Sequence, residues 1–332
     1  MNRTTLINVL VWTLLSVACG EKPSEPEAPV EEEGGIILEG PPFFFDNPAW
    51  HPDGKWIAVE HGDSIDTDFD GIADTVFSGI WIINAKTGYK QPLIRHFGYP
   101  AWSPDGSSLA MHRGGQIFTV DILSLEPARI DTGSILQLTF VGRNFFPAWS
   151  PDRNWIAYDN TTNCGSSVEP PATESCGILI IRADGSDKTF LTRGRMPDWL
   201  PDGTDLIFIA LGTNIFRLAV DDTANITQLT NSDDSDNSHP RFSPDGSEIA
   251  MYSKSGTELS AIWIMNSDGS SLRELTDGPD WRFDWSPDGK SIVFLHWSFS
   301  NRDPIPAGNG QLWLIDTDGS NLRQLTFFEG FY

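Results

Sequence analysis

The stretch PAWSPDGSSLAM, Pro100 to Met111, decides the fold because near-copies of it recur along the chain. The other copies are PAWHPDGKWIAV from Pro48, PAWSPDRNWIAY from Pro147, PDWLPDGTDLIF from Pro197, PRFSPDGSEIAM from Pro240 and FDWSPDGKSIVF from Phe283. Their aromatic anchors, Trp50, Trp102, Trp149, Trp199, Phe242 and Trp285, lie 52, 47, 50, 43 and 43 residues apart. That period suits one four-stranded blade per repeat. Ser-Pro-Asp-Gly sets Pro at the second and Gly at the fourth position of a type I turn, so each copy reads as strand, tight turn, strand. Third strands follow as GIWIIN at 79, GQIFTV at 115, GILIIR at 177, TNIFRL at 213, AIWIMN at 261 and QLWLID at 311, rich in β-branched and aromatic residues. Asp-Gly-type turns and short segments ending in Leu-Thr complete most copies. The pattern predicts an all-β, monomeric, six-bladed β-propeller with four antiparallel strands per blade. It covers residues 36–332, with blades starting near 47, 99, 146, 196, 239 and 282.

These repeats resemble the WD-like propeller repeat of the TolB type, over nearly all of Phe43 to Thr326. The resemblance implies a propeller used for protein or peptide recognition, in some members a platform beside an enzyme domain. Arg153 stands in place of the turn glycine in the third copy and Phe283 in place of proline in the sixth, both read as tolerated drift. TolB carries an α/β domain before its propeller, whereas the stretch before Phe43 reads as leader and linker. A TolB-like protein other than TolB is expected.

That leader has Arg3, an apolar run from Leu6 to Leu15 too short to span a bilayer, and Ser16-Val17-Ala18 before Cys19. Residues 1–18 read as a signal peptide and Cys19 as a lipidated N-terminus, because the segment resembles the lipobox of bacterial lipoproteins. Residues 19–35 read as an acidic, Pro-rich linker with nothing to bury. The expected location is the cell envelope, lipid-anchored, in the periplasm or on the outer-membrane surface. Cys164 and Cys176 then read as one disulfide, or as two free thiols. With 46 acidic against 22 basic residues and a net charge of −24, the chain repels phosphate backbones, so nucleic acid is excluded as a partner.

Two places carry site chemistry. Between the second and third strands of blade one, Asp66, Asp68, Asp70, Gly71 and Asp74 follow a D-x-D-x-D-G-x-x-D spacing. Alternate carboxylates converge on a hard cation, and the Ile72 carbonyl adds an oxygen, so the loop reads as a structural Ca²⁺ site or else as a plain acidic insertion. The second place is the channel mouth, on the face that carries the long insertions at 60–78, 159–176 and 295–310. Tyr99, Arg143, Phe145, Arg193, Arg195, His239, Trp281 and Arg282 precede first strands there. They read either as a ligand rim for a carboxylate, acidic sugar or peptide, or as arginines paired to neighbouring aspartates. No G-x-S-x-G, H-E-x-x-H or phosphate-loop pattern occurs. The reading is a non-enzymatic binding or scaffold propeller for an envelope protein, peptide or glycan. The alternative is a hydrolase or lyase acting on acidic polysaccharide.

Overall fold

The computed structural model describes residues 45–65, 75–162, 176–210, 213–231, 235–255, 260–297 and 310–327. Among them lie six four-stranded antiparallel sheets and no helix. Blade one is β1 (Phe45–Trp50), β2 (Trp56–Ile65), β3 (Thr75–Asn84) and β4 (Lys90–Arg95). Blade two is β5 (Gly98–Trp102), β6 (Ser108–Arg113), β7 (Gln116–Leu125) and β8 (Ala128–Gln137). Blade three is β9 (Asn144–Trp149), β10 (Trp155–Asn160), β11 (Gly177–Arg182) and β12 (Thr189–Thr192). Blade four is β13 (Arg195–Trp199), β14 (Asp205–Ala210), β15 (Asn214–Ala219) and β16 (Asp222–Gln228). Blade five is β17 (Ser235–Phe242), β18 (Glu248–Ser255), β19 (Ala261–Asn266) and β20 (Arg273–Glu274). Blade six is β21 (Asp280–Trp285), β22 (Ser291–Trp297), β23 (Gly310–Asp316) and β24 (Arg323–Gln324).

Because both faces of a radial sheet are covered, the interior splits into six apolar slabs, one per seam between neighbouring blades. At the seam between blades two and three, for example, Ala110, Ile117 and Leu138 pack on Ile156, Tyr158, Leu179 and Ile181. The ring closes the same way: Phe45, Ile57, Val59 and Trp81 of blade one meet Val293, Leu295, Leu312 and Leu314 of blade six. Closure among the described residues is therefore by packing, together with a hydrogen bond from Trp50 N to Asp284 at 2.7 Å, and no strand is exchanged between the first and last sheets.

The repeated residues have visible jobs. In Ser-Pro-Asp-Gly the serine hydroxyl accepts an N–H from the next strand and donates to the aspartate, as Ser103 does with Ser108 N at 3.0 Å and Asp105 at 2.8 Å. The turn glycine has positive φ, 72° at Gly106, where a side chain is strained. Arg153 holds this conformation too, at 64°, and its guanidinium pairs with Asp105 and Ser107 of the adjacent blade. It is an inter-blade clasp rather than the drift expected from sequence. The Leu-Thr threonine lies just beyond the outer strand and accepts the N–H that opens the third strand: Thr139 from Ile117 at 2.9 Å, Thr276 from Ile262 at 3.0 Å, and Thr326 from Leu312 at 3.0 Å.

The face bearing the Asp-Gly turns carries a projection of its own, because β7 and β8 run on past the usual turn as a long hairpin. Ile122, Leu125, Ala128 and Ile130 fold it back onto the seam between blades one and two. Gln91 clamps it, donating to Leu125 O at 2.6 Å and accepting from Ala128 N at 2.9 Å.

Candidate functional site at the channel mouth

Every innermost strand carries a bulge or register shift at the residue that precedes Pro-x-Trp or its equivalent. The six residues there, Asn47, Tyr99, Phe146, Met196, His239 and Arg282, all have positive φ, between 38° and 56°. Left-handed conformations of non-glycine residues cost roughly 1–3 kcal/mol each and persist only where surroundings impose them. A bulge re-aims the side chain it carries. Here Asn47, Tyr99, Phe146, His239 and Arg282 line one narrow axial cavity of about 30 Å³.

These side chains plug the throat. Phe146 lies 4.8 Å from the Tyr99 ring and 5.3 Å from the His239 ring, edge to face, with the Arg282 guanidinium 5.7 Å above it. His239 Nδ1 accepts from Arg282 Nη1 at 3.2 Å. Burial, with Arg282, Arg241 and Arg195 nearby, holds that imidazole well below its ordinary range, so it sits neutral and can accept. Ser238 Oγ reaches Met196 Sδ at 3.2 Å, tying the fourth blade's residue into the plug.

Around the plug, arginines meet carboxylates: Arg282 and Asp46 at 3.3 Å, Arg241 and Asp198 at 3.1 Å, Arg195 and Asp159 at 3.5 Å. Asp159 is fully buried, and burial pushes its carboxyl up to about 7 against the pull of Arg195. Burial also raises Asp46 despite Arg282, and raises Glu60, which Asp46 pushes further. Asp284 is raised to about 7 by burial, against Arg241.

The outer rim is more open. Phe145 stacks on His112 at 4.6 Å, and Trp281, 40% exposed, stacks on Tyr252 at 5.0 Å. Arg143 and Arg193 are exposed. Of the mouth residues named from sequence, the structure therefore brings together Tyr99, Phe145, His239 and Arg282, and ties Arg195 to Asp159. Trp281 belongs to a second aromatic pair. Sequence reasoning missed Asn47, Met196, Arg241, Glu60 and Asp159 at the throat. The signal was available for the first two, since each stands immediately before a repeat's Pro-x-Trp. The predicted calcium ligands Asp66, Asp68, Asp70, Ile72 and Asp74, the lipid-bearing Cys19, and Cys164 lie outside the described residues; Cys176, the expected partner of Cys164, stands just before β11.

A closed ring of six sheets with a side-chain-filled throat defines the chain as a β-propeller. A TolB beta propeller domain model matches residues 169–332, and the blades of this chain are TolB-like propeller repeats. A TolB-type protein of Agrobacterium tumefaciens superposes with a TM-score of 0.55 at 25% identity, covering 72% of this chain and 82% of that one. An oligogalacturonate lyase solved with manganese shares the fold, at a TM-score of 0.54 and 14% identity, covering 85% of this chain and 77% of that one. Among curated relatives, an uncharacterized protein of Agrobacterium fabrum is 28% identical over 210 residues, covering 60% of this chain and 66% of its own length. An uncharacterized peptidase of Bacillus subtilis is 31% identical over 125 residues, covering 34% of this chain and 18% of its own. The chain thus spans less than two thirds of either relative.

Proposed function

We propose that this chain is a non-enzymatic recognition propeller of the bacterial envelope that holds a protein, peptide or glycan on its loop-bearing face. The observation that carries the reading is the state of the throat. Its arginines are committed to aspartates and its axis is filled by the protein's own aromatic, imidazole and guanidinium groups. Such an arrangement stiffens a scaffold and leaves the rim around Phe145, Trp281, Arg143 and Arg193 as the presenting surface. Calcium bound by Asp66, Asp68, Asp70, the Ile72 carbonyl and Asp74 would brace the insertion between β2 and β3. A Cys164–Cys176 disulfide would do the same between β10 and β11. Lipid on Cys19 would hold the domain near a membrane.

Peptide and glycan arrays probed with the purified chain and with its Trp281→Ala and Arg193→Glu variants test this. Binding to a defined set, lost in the variants, supports the reading. Release of unsaturated products from polygalacturonate, abolished by His239→Ala, would replace it with a lyase. Calcium is tested separately by calorimetry on chelator-stripped protein, with Asp68→Ala/Asp70→Ala as control. A saturable heat with a raised melting temperature supports the metal, and its absence at millimolar calcium removes it.

A further inference from the structure

The groove between blades five and six departs from its symmetry mates in a way that points to a ligand. Each seam brings together the residue at or just before the start of the first strand, one late in the second strand, and one in the third. In blade one these are Phe45, His61 and Trp81. His61 stacks on Phe45 at 3.9 Å and meets Trp81 at 5.1 Å, and Lys90 Nζ lies over both rings, at 5.9 and 5.7 Å. In blade two they are Phe97, Arg113 and Phe118, with the guanidinium 4.6 Å and 5.3 Å from the two rings. In both seams a cation of the chain itself packs against the third-strand aromatic.

Blade six has Asp280, His296 and Trp313 at these places; the Asp280↔His296 pairing matches Phe45↔His61 in register. An aspartate thus replaces the phenylalanine. Asp280 is 1% exposed, and its Oδ1 lies 2.7 Å from His296 Nδ1. Beside this pair opens a cavity of about 520 Å³, walled by Leu275, Trp313, Ile315 and Leu322, with Glu274 and Asp277 exposed at its edge. It is open because β20 spans only two residues, so blade five offers little outer strand to cover the Trp313 face. Trp313 Nε1 is buried with no partner among the described residues. The neighbouring Arg273 is turned away, donating to Thr317 O at 2.9 Å and to Glu248 at 3.2 Å. Gly278 comes so close that a Cβ there would stand 2.9 Å from His296 Cε1, so the backbone makes room for the Asp–His pair.

We propose that this groove binds an organic cation, an ammonium or guanidinium group, which lies against Trp313 between Glu274 and Asp277. It packs on the third-strand aromatic as the chain's own Lys90 does on Trp81 and Arg113 on Phe118. Cations are drawn to indole faces, and a carboxylate-lined edge adds to that attraction.

The test follows the Trp313 indole N–H resonance by nuclear magnetic resonance, assigned with Trp313→Phe, while arginine amide or a capped Ala-Arg-Ala peptide is titrated into the purified chain. A saturable shift is expected, weakened about tenfold in Glu274→Gln/Asp277→Asn through loss of the two edge charges and unchanged in the mouth variant Trp281→Ala. Tighter binding of the peptide assigns the site to basic protein segments, and equal affinity assigns it to free amines. No saturable shift with either probe, or equal affinity in the acidic-edge variant, would overturn the proposal. Both edge residues are exposed, so melting curves of that variant are expected to match the parent and a folding defect is separable from lost binding.

Discussion

The seams between blades are locked in two chemically different ways. At four of them the indole N–H of the incoming blade's Trp donates to a carbonyl of the preceding blade's first strand. These are Trp102 to Ala49, Trp149 to Ala101 and Trp199 to Ala148, each at 3.1 Å, and Trp285 to Arg241 at 3.2 Å. At the other two, a carboxylate takes a backbone N–H instead: Asp198 from Phe242 at 2.9 Å and Asp284 from Trp50 at 2.7 Å. Phe242 has no indole N–H to donate, and Trp50 Nε1 is buried without a partner. The middle residue of the preceding blade's Pro-x-Trp or its equivalent accompanies the difference: alanine or arginine at the four indole locks, aspartate at the other two. Four locks are neutral and indifferent to pH. Two depend on carboxyl groups whose ionisation burial has pushed upward, with Arg241 acting on both.

The sharpest way to break this comparison is Asp284→Ala, which leaves the Trp50 N–H unpaired at the closing seam. A loss of about 1–3 kcal/mol is expected in urea unfolding, the penalty for a buried donor without an acceptor. Asp284→Asn keeps an acceptor oxygen and should lose less. It should also flatten the pH dependence. An acid raised from 3.8 to about 7 in the folded chain, as Asp159 and Asp284 are, contributes stability that is complete below its unfolded pKa and is lost as pH rises through 7. Melting temperature should therefore fall between pH 5 and pH 8, and fall less in Asp284→Asn. The turn aspartates act in the opposite sense. Asp245, held to about 2 by hydrogen bonds from Ser243 and Ser247, loses its contribution only as pH drops from about 4 toward 2.

Next in size is Trp199→Phe, which removes an indole donor from the Ala148 carbonyl and should cost about 1 kcal/mol beyond the lost ring volume. Ser150→Ala removes an acceptor for Trp155 N at 2.9 Å and a donor to Asp152 at 2.6 Å, at a cost near 0.5–1 kcal/mol because the turn stays partly solvated. Trp50→Phe should be the mildest, since its indole N–H has no partner to lose. Equal losses at Trp50 and Trp199 would show that ring size, and not the hydrogen bond, sets what these anchors contribute.

The blades were legible because their determinants are local. Pro and Gly at fixed places in a turn, alternating apolar strands and a recurring aromatic each act over a few residues and repeat without variation in spacing within a copy. The throat was legible in part. Tyr99, His239 and Arg282 stood out as aromatic or charged residues before first strands. Asn47 and Met196 did not, because neither residue type signals a site until a bulge in each innermost strand turns the same position toward one axis. Arg153 was misread for a related reason: its partner Asp105 is 48 residues away and reached only across a seam.

By itself the sequence determined the number of blades, their strand order, and the turn and cap chemistry, since these follow from periodicity and short-range hydrogen bonding. The tertiary structure alone decided which charges are buried, which arginine meets which aspartate, how the ring closes, and where a groove stays open. Those outcomes depend on residues from different blades meeting at a seam, where desolvation and packing act on whatever the neighbouring blade presents.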